Sequence, residues 1–209
     1  MNPQALEHSN KLIALLPVVA AHGMQSFDRL ITLAQCAFNV QQLHGDMCEF
    51  GCNAGGTARW LRELLPSKHL WLYDTFTGHP ADGPGDSFKR GAMAASRVTT
   101  MDDVAGDGKL TIVPGNVMEL SEASSMVPQT IILAHIDLDG YDNTLHTLNL
   151  VWPRIHDRGY IIVDDYHDTN YPGVKQSVDE FIESIPFAVV RSSLGCAGKT
   201  RASVVIEVP

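Results

Sequence analysis

The sequence holds little charge and few cysteines, and it has no long apolar run. Charged residues make up 19% of the 209, beside 44% hydrophobic, an ordinary balance for a globular chain large enough to bury a sizeable core. Acid exceeds base by a formal net charge of −9, which argues against non-specific nucleic-acid binding, since that needs a basic face, so no nucleic-acid partner is expected. No apolar stretch reaches the roughly 18 to 20 residues that span a bilayer. The opening Met1-Asn2-Pro3-Gln4 lacks the basic and apolar regions of a secretory signal. A cytoplasmic location without a membrane partner is therefore expected. Four cysteines (Cys36, Cys48, Cys52, Cys196) do not make a disulfide scaffold in a chain this long. Cys48 and Cys52 have no further zinc ligands in their segment, so the thiols are expected to be buried and structural.

What is present is an alternation of short apolar runs and helical periods, the mark of an α/β fold. Residues 3–21 and 24–43 predict two helices broken at His22-Gly23, with Pro17 kinking or shortening the first. Strands are predicted at 46–51, 69–73, 110–113, 131–137 and 160–163, and helices at 57–65, 142–151 and 173–185. Segments 188–192 and 202–208 predict a closing antiparallel pair. The expected architecture is a single domain over 1–209, an N-terminal helical segment (1–44) followed by a Rossmann-like core (45–209). Residues 77–97, rich in glycine and proline, predict a mobile cover over the strand ends.

The richest signal lies in three aspartates. The run TIILAHI ends in Asp137, and YIIV ends in Asp164-Asp165. Continuous apolar runs read as parallel strands buried on both faces, and ligands bind beyond the carboxyl ends of such strands. Three carboxylates delivered to one rim would repel one another, and hard oxygen donors suit Mg²⁺. The other reading is that Asp164-Asp165 caps a loop and Asp137 merely ends a strand.

Ahead of these stands a strand, a glycine-rich turn and a helix start: Glu49-Phe50-Gly51, then Gly55-Gly56-Thr57. Glycines let a ligand approach the backbone, and amides at the helix start face it. The spacing is E-x-G-x-x-x-G-G, which is neither the dinucleotide fingerprint nor a P-loop, since the P-loop lysine is missing. Some twenty residues on, the next strand ends in Asp74, placed either for ribose hydroxyls or as a helix cap.

Taken in order, E-x-G-x-x-x-G-G, Y-D-T-F-x-G-x-P (73–80), H-I-D-x-D-x-Y (135–141) and I-I-V-D-D-Y (161–166) resemble the macrocin O-methyltransferase family. The resemblance covers roughly 44–185. It implies a class I methyltransferase fold, a seven-stranded, mostly parallel sheet with one antiparallel strand near its edge and helices on both faces. It implies S-adenosylmethionine and Mg²⁺ as cofactors, a hydroxyl of a sugar or natural-product glycoside as acceptor, and a homo-oligomer. By that resemblance Glu49, Gly51, Gly55, Gly56 and Thr57 line the methionine part of the donor, and Asp74, Thr75 and Phe76 hold ribose and adenine. Asn116 stands where adenine is contacted, although Pro114-Gly115-Asn116 is also ordinary turn chemistry. Asp137, Asp164 and Asp165 would hold the metal.

A catechol-type O-methyltransferase shares this layout but carries a lysine after the first metal aspartate, and Asp137-Leu138-Asp139-Gly140-Tyr141 has none. A cofactor fold without turnover is the remaining alternative. Two residues are candidates for the general base: Asp137, which would touch metal and acceptor, and His167, whose unperturbed pKa lies near neutrality. His135, inside a strand, reads as a satisfied buried histidine, and Asp139 as an orienting group or a cap for the helix near Asp142.

Overall fold

A computed structural model describes residues 10, 13, 14, 17, 26–80, 87–94, 108–185, 189–192 and 203–208. The expected first helix (3–21) and Cys196 fall almost wholly outside them. Asn10, Ile13, Ala14 and Pro17 are described, and all four are helical.

Seven strands form one sheet in the order β3-β2-β1-β4-β5-β7-β6. They are β1 (Asp46–Phe50), β2 (Leu70–Asp74), β3 (Leu110–Pro114), β4 (Ile131–Ile136), β5 (Ile155–Val163), β6 (Val189–Ser192) and β7 (Val204–Glu207). Only β7 runs against its neighbours, pairing antiparallel with β5 and with β6, as expected for the closing pair. Sequence order reverses between β1 and β4. Such a reversal opens a crevice at the strand ends.

Among the described residues four complete α-helices cover the sheet: α1 (Phe27–Val40), α2 (Gly56–Leu64), α3 (Tyr141–Val151) and α4 (Pro172–Ser184). Strand residues alternate between two cores, because successive side chains point to opposite faces. Met47, Leu70, Leu72, Leu133 and Ile162 meet Leu33, Ala37 and Val40 of α1 and Trp60 and Leu61 of α2. On the other face Phe50, Ala134, Ile136 and Ile161 meet Leu148 and Val151 of α3 and Val178 and Phe181 of α4. Each fully buried Leu or Ile contributes about 1.5–3 kcal/mol of transfer free energy. Trp60 adds directionality, donating its indole N–H to the Leu30 carbonyl at 3.1 Å, which fixes α1 on α2.

The main departure concerns β5, which begins at Ile155 rather than at 160. Its early part breaks register opposite Ile131 and Leu133, and Arg158 has φ +69°. Exposed Asp157 and Arg158 carry no apolar signal that marks a strand. Asp139 does not cap α3; Gly140 holds that position. Cys36, Cys48 and Cys52 are buried thiols in no disulfide. Among the described residues no helix is long and apolar enough to cross a membrane.

Candidate active site

Parallel pairing carries the ends of β1, β2, β4 and β5 to one rim. The Gly51 amide donates to the Tyr73 carbonyl, Asp137 to Phe50 and Asp164 to Ile136, at 2.8–2.9 Å. These bonds set Gly51, Asp74, Asp137 and Asp164 side by side across the sheet. Above them opens a cleft with about 1000 Å³ of empty space, solvent at its mouth included. That is the scale of small-molecule sites. Gly51, Asp74, Thr75, Asn116, Asp137 and Asp165, all expected site residues, line it. Asn53, Met93, Asp139 and Asp165 line it too, each with φ between +45° and +61°. Left-handed backbone at non-glycine residues concentrates at functional sites.

On the β1–β2 side the Asp74 carboxylate accepts the amides of Asn53 and Phe76, one on each oxygen, both at 2.7 Å. It caps no helix, and each oxygen keeps a lone pair. Asn116 serves its turn, its side chain accepting from the Met118 amide at 3.1 Å, and it faces the cleft as well. Gly51 has φ +86°, and a Cβ there would stand 1.9 Å from the Asp137 carbonyl oxygen, so only glycine fits. Gly55 is the N-cap of α2, with Gly56 and Thr57 buried in its first turn. These three, with Glu49 and Phe76, stand outside the cleft lining. Glu49 is 1% exposed, and its Oε2 has no hydrogen-bond partner among the described residues.

On the β4–β5 side His135 is wholly buried between two carboxylates, Nδ1 at 3.2 Å from Glu49 and Nε2 at 3.1 Å from Asp164. Burial disfavours the imidazolium, but Asp164 and Glu49 outweigh it and hold the ring's pKa well above its ordinary value. Burial also opposes charge on Asp164, yet His135, Arg29 and Ser203 hold its carboxyl well below the usual range. This histidine is the satisfied buried residue that the sequence predicts. His135→Leu would leave Glu49 and Asp164 buried without that cation, so a loss of about 3 kcal/mol is expected in urea unfolding. A loss below about 1 kcal/mol would show that the triad contributes little.

Arg29 of α1 completes the cluster. One guanidinium nitrogen bonds Asp165, and the other lies 3.4 Å from Asp164. Ser203 donates to the second Asp164 oxygen. Asp164 is thus saturated behind the cleft, while Asp137 and Asp165 face it. Two groupings bring three ligand atoms within 4.8 Å of one another, Asp137/Asp139/Asp165 and His135/Asp137/Asp164. The structure therefore divides the expected triad. Asp137 is common to both groupings, and Asp139 joins Asp165 on the cleft side. Burial, then Asp164, Asp139 and Asp165, raise the Asp137 carboxyl well above its ordinary value. Burial, with Asp164 and Asp139 and against the pull of Arg29, pushes Asp165 up to about 7.

His167 is not brought to the site. It is exposed, packs edge-on against Tyr166 with ring centroids 4.6 Å apart, and lines no part of the cleft. The described parts of the expected cover do lie over the strand ends. His79 stacks on Phe88 at 4.0 Å, and its Nε2 is 3.3 Å from an Asp139 oxygen. The Ser87 amide donates to the Asn170 carbonyl, and the Asn53 side chain donates to the Met93 carbonyl.

Sequence reasoning missed Arg29, Asn53 and Tyr171. Arg29 had a signal: it shares the spacing 29, 33, 36, 40 with Leu33, Cys36 and Val40 on the buried face of α1. A charge on such a stripe needs a buried partner.

A sequence model of the macrocin-O-methyltransferase (TylF) family matches residues 4–186. The chain is 27% identical to a demethyldecarbamoylnovobiocin O-methyltransferase of Streptomyces niveus, over 77% of this chain and 68% of that protein. It is 24% identical to a mycinamicin III 3''-O-methyltransferase of Micromonospora griseorubida, over 77% and 70%. Among solved structures it superposes on the O-methyltransferase NovP with a TM-score of 0.76 at 24% identity, over 90% of this chain and 82% of that one. The calicheamicin methyltransferase CalS11 gives a TM-score of 0.70 at 18% identity, over 99% and 93%.

Proposed function

This chain belongs to the macrocin-O-methyltransferase (TylF) family and is an O-methyltransferase; from that premise we propose that it methylates a hydroxyl of a sugar or natural-product glycoside, using S-adenosylmethionine and a divalent cation, Mg²⁺. One observation carries this reading. Asp74, suited to ribose hydroxyls, and the acidic pair Asp137 and Asp165 line a single cleft.

The residues present fit both groups. For the donor, Asp74 keeps acceptor capacity on each oxygen, and Thr75 and Asn116 line the cleft with it. For the cation, Asp137, Asp139, Asp164 and Asp165 are gathered near Arg29, the buried His135 and, at Asp139, His79, so the carboxylates outnumber the basic side chains beside them. Burial first, and then the neighbouring carboxylates, raise the Asp137 and Asp165 carboxyls. Hard carboxylate oxygens are the donors Mg²⁺ takes.

When bound, the donor supplies an electrophilic methyl group and the cation supplies Lewis acidity that makes an acceptor hydroxyl easier to ionise. Asp74, Thr75 and Asn116 bind and orient the nucleoside end, and Gly51 leaves the turn open at the rim. Asp137 and Asp165, with Asp139, hold the cation. Asp137, which faces the cleft, also accepts the acceptor's proton as the new C–O bond forms and the donor's C–S bond breaks, leaving S-adenosylhomocysteine. His79, Pro80, Met93 and Tyr171 add apolar and aromatic surface to the cleft lining. Holding both reactants in one cleft replaces a bimolecular encounter.

The test is transfer of label from S-adenosyl[methyl-³H]methionine to panels of glycosides and of catechols, with Mg²⁺ and with a chelator. Labelled glycoside that disappears with chelator is the expected result. Labelled catechol with unlabelled glycoside would overturn the substrate reading, and label transfer indifferent to chelator would overturn the cation.

A further inference from the structure

We infer that Arg29 is a built-in competitor for the divalent cation: its guanidinium already occupies part of the carboxylate cluster and weakens the hold of that cluster on an ion. The inference rests on the reading that a cation sits among Asp137, Asp139 and Asp165. Arg29 bonds Asp165 with one nitrogen and lies 3.4 Å from an Asp164 oxygen with the other. It is 6% exposed, and it lines the same cleft as Asp137 and Asp139.

Two effects follow. One oxygen of Asp165 is spent on the guanidinium, and a fixed positive charge stands within a few ångströms of the ion's place. A charge that close inside protein repels a cation far more than the same charge in water. The planar fork of arginine suits two neighbouring carboxylates, which lysine cannot match with a single ammonium.

The arrangement also explains how four aspartates coexist when no ion is bound. Removing one partner of a buried pair leaves uncompensated charge, so Arg29 keeps the folded cluster together until an ion arrives. Next to it in α1, the Leu30 carbonyl accepts the Trp60 indole N–H, which ties this turn of the helix to α2. Arg29 is therefore a positioning residue that sets cation affinity. It keeps the site loose and exchangeable.

The test uses the full chain with Arg29→Met, which keeps most of the side-chain volume and removes the charge. Mn²⁺ is titrated, and free aqueous Mn²⁺ is followed by electron paramagnetic resonance. The metal-free variant should melt below wild type, yet bind Mn²⁺ about tenfold or more tighter, with a larger rise in Tm on adding the ion. A merely structural role predicts the reverse, since a disordered cluster loses the ion. Arg29→Lys, which spares one carboxylate, should bind about threefold tighter and serves should the Met variant fail to fold. Mn²⁺ bound to wild type but no tighter to a folded variant overturns this inference alone. No Mn²⁺ bound to any of the three overturns the cation reading as well.

Discussion

Asp137→Asn is expected to lower kcat/KM about a thousandfold or more while leaving S-adenosylhomocysteine affinity within about threefold of wild type. The reason is the position of Asp137. It is the one residue in both carboxylate groupings, and it also faces the cleft. An amide there keeps the volume but loses the charge that we propose holds the cation and the carboxylate that we propose takes the acceptor's proton. The proposed nucleoside site lies elsewhere, at Asp74 and its neighbours, so product affinity should survive. Calorimetric titration of S-adenosylhomocysteine beside a methyl-transfer assay separates the two functions. A variant within about tenfold of wild-type kcat/KM would remove Asp137 from the chemistry.

Gly51→Ala should be nearly as damaging, through stability and cofactor binding together. Its new Cβ would meet the Asp137 carbonyl oxygen at 1.9 Å, and the backbone φ of +86° is one that alanine rarely adopts. Neither atom can step aside cheaply. The Asp137 amide donates to Phe50 and the Gly51 amide to Tyr73, so both belong to the sheet ladder. Strain of this kind costs about 1–3 kcal/mol for the backbone alone, before the clash is relieved. We expect a loss of about 3 kcal/mol or more in urea unfolding, and S-adenosylhomocysteine binding weakened at least about tenfold. A variant within about 1 kcal/mol of wild type that still binds product would contradict the close approach of turn and strand.

Much of this site is legible in the sequence, for reasons that can be traced residue by residue. TIILAHI and YIIV are apolar because β4 and β5 are covered on both faces, and their ends therefore mark the rim. The parallel register sets Ile136 beside Val163, which places Asp137 next to Asp164 with no further information.

The orientation of the pair is not written in that pattern. Successive strand residues face opposite sides, so Asp164 and Asp165 do not share a direction. Asp164 turns inward to His135, and Asp165, at φ +58°, turns to the cleft. Asp139 enters the cleft by the same device, at φ +59°. Arg29 meets Asp164 from 135 residues away in the chain, a distance over which no local period speaks. Its partner is chosen by how α1 packs on the sheet. His167 shows the opposite error: a position two residues after Asp165 and an imidazole's unperturbed pKa near neutrality do not bring it into the cleft.

The most direct measurement is anomalous diffraction from crystals grown with Mn²⁺ and S-adenosylhomocysteine. The account predicts a single strong manganese peak bonded to carboxylate oxygens of Asp137 and Asp165, in the cleft where Asp74 holds the ribose. A manganese-free cluster with Arg29 still seated on both aspartates, or a peak away from Asp137, would contradict it.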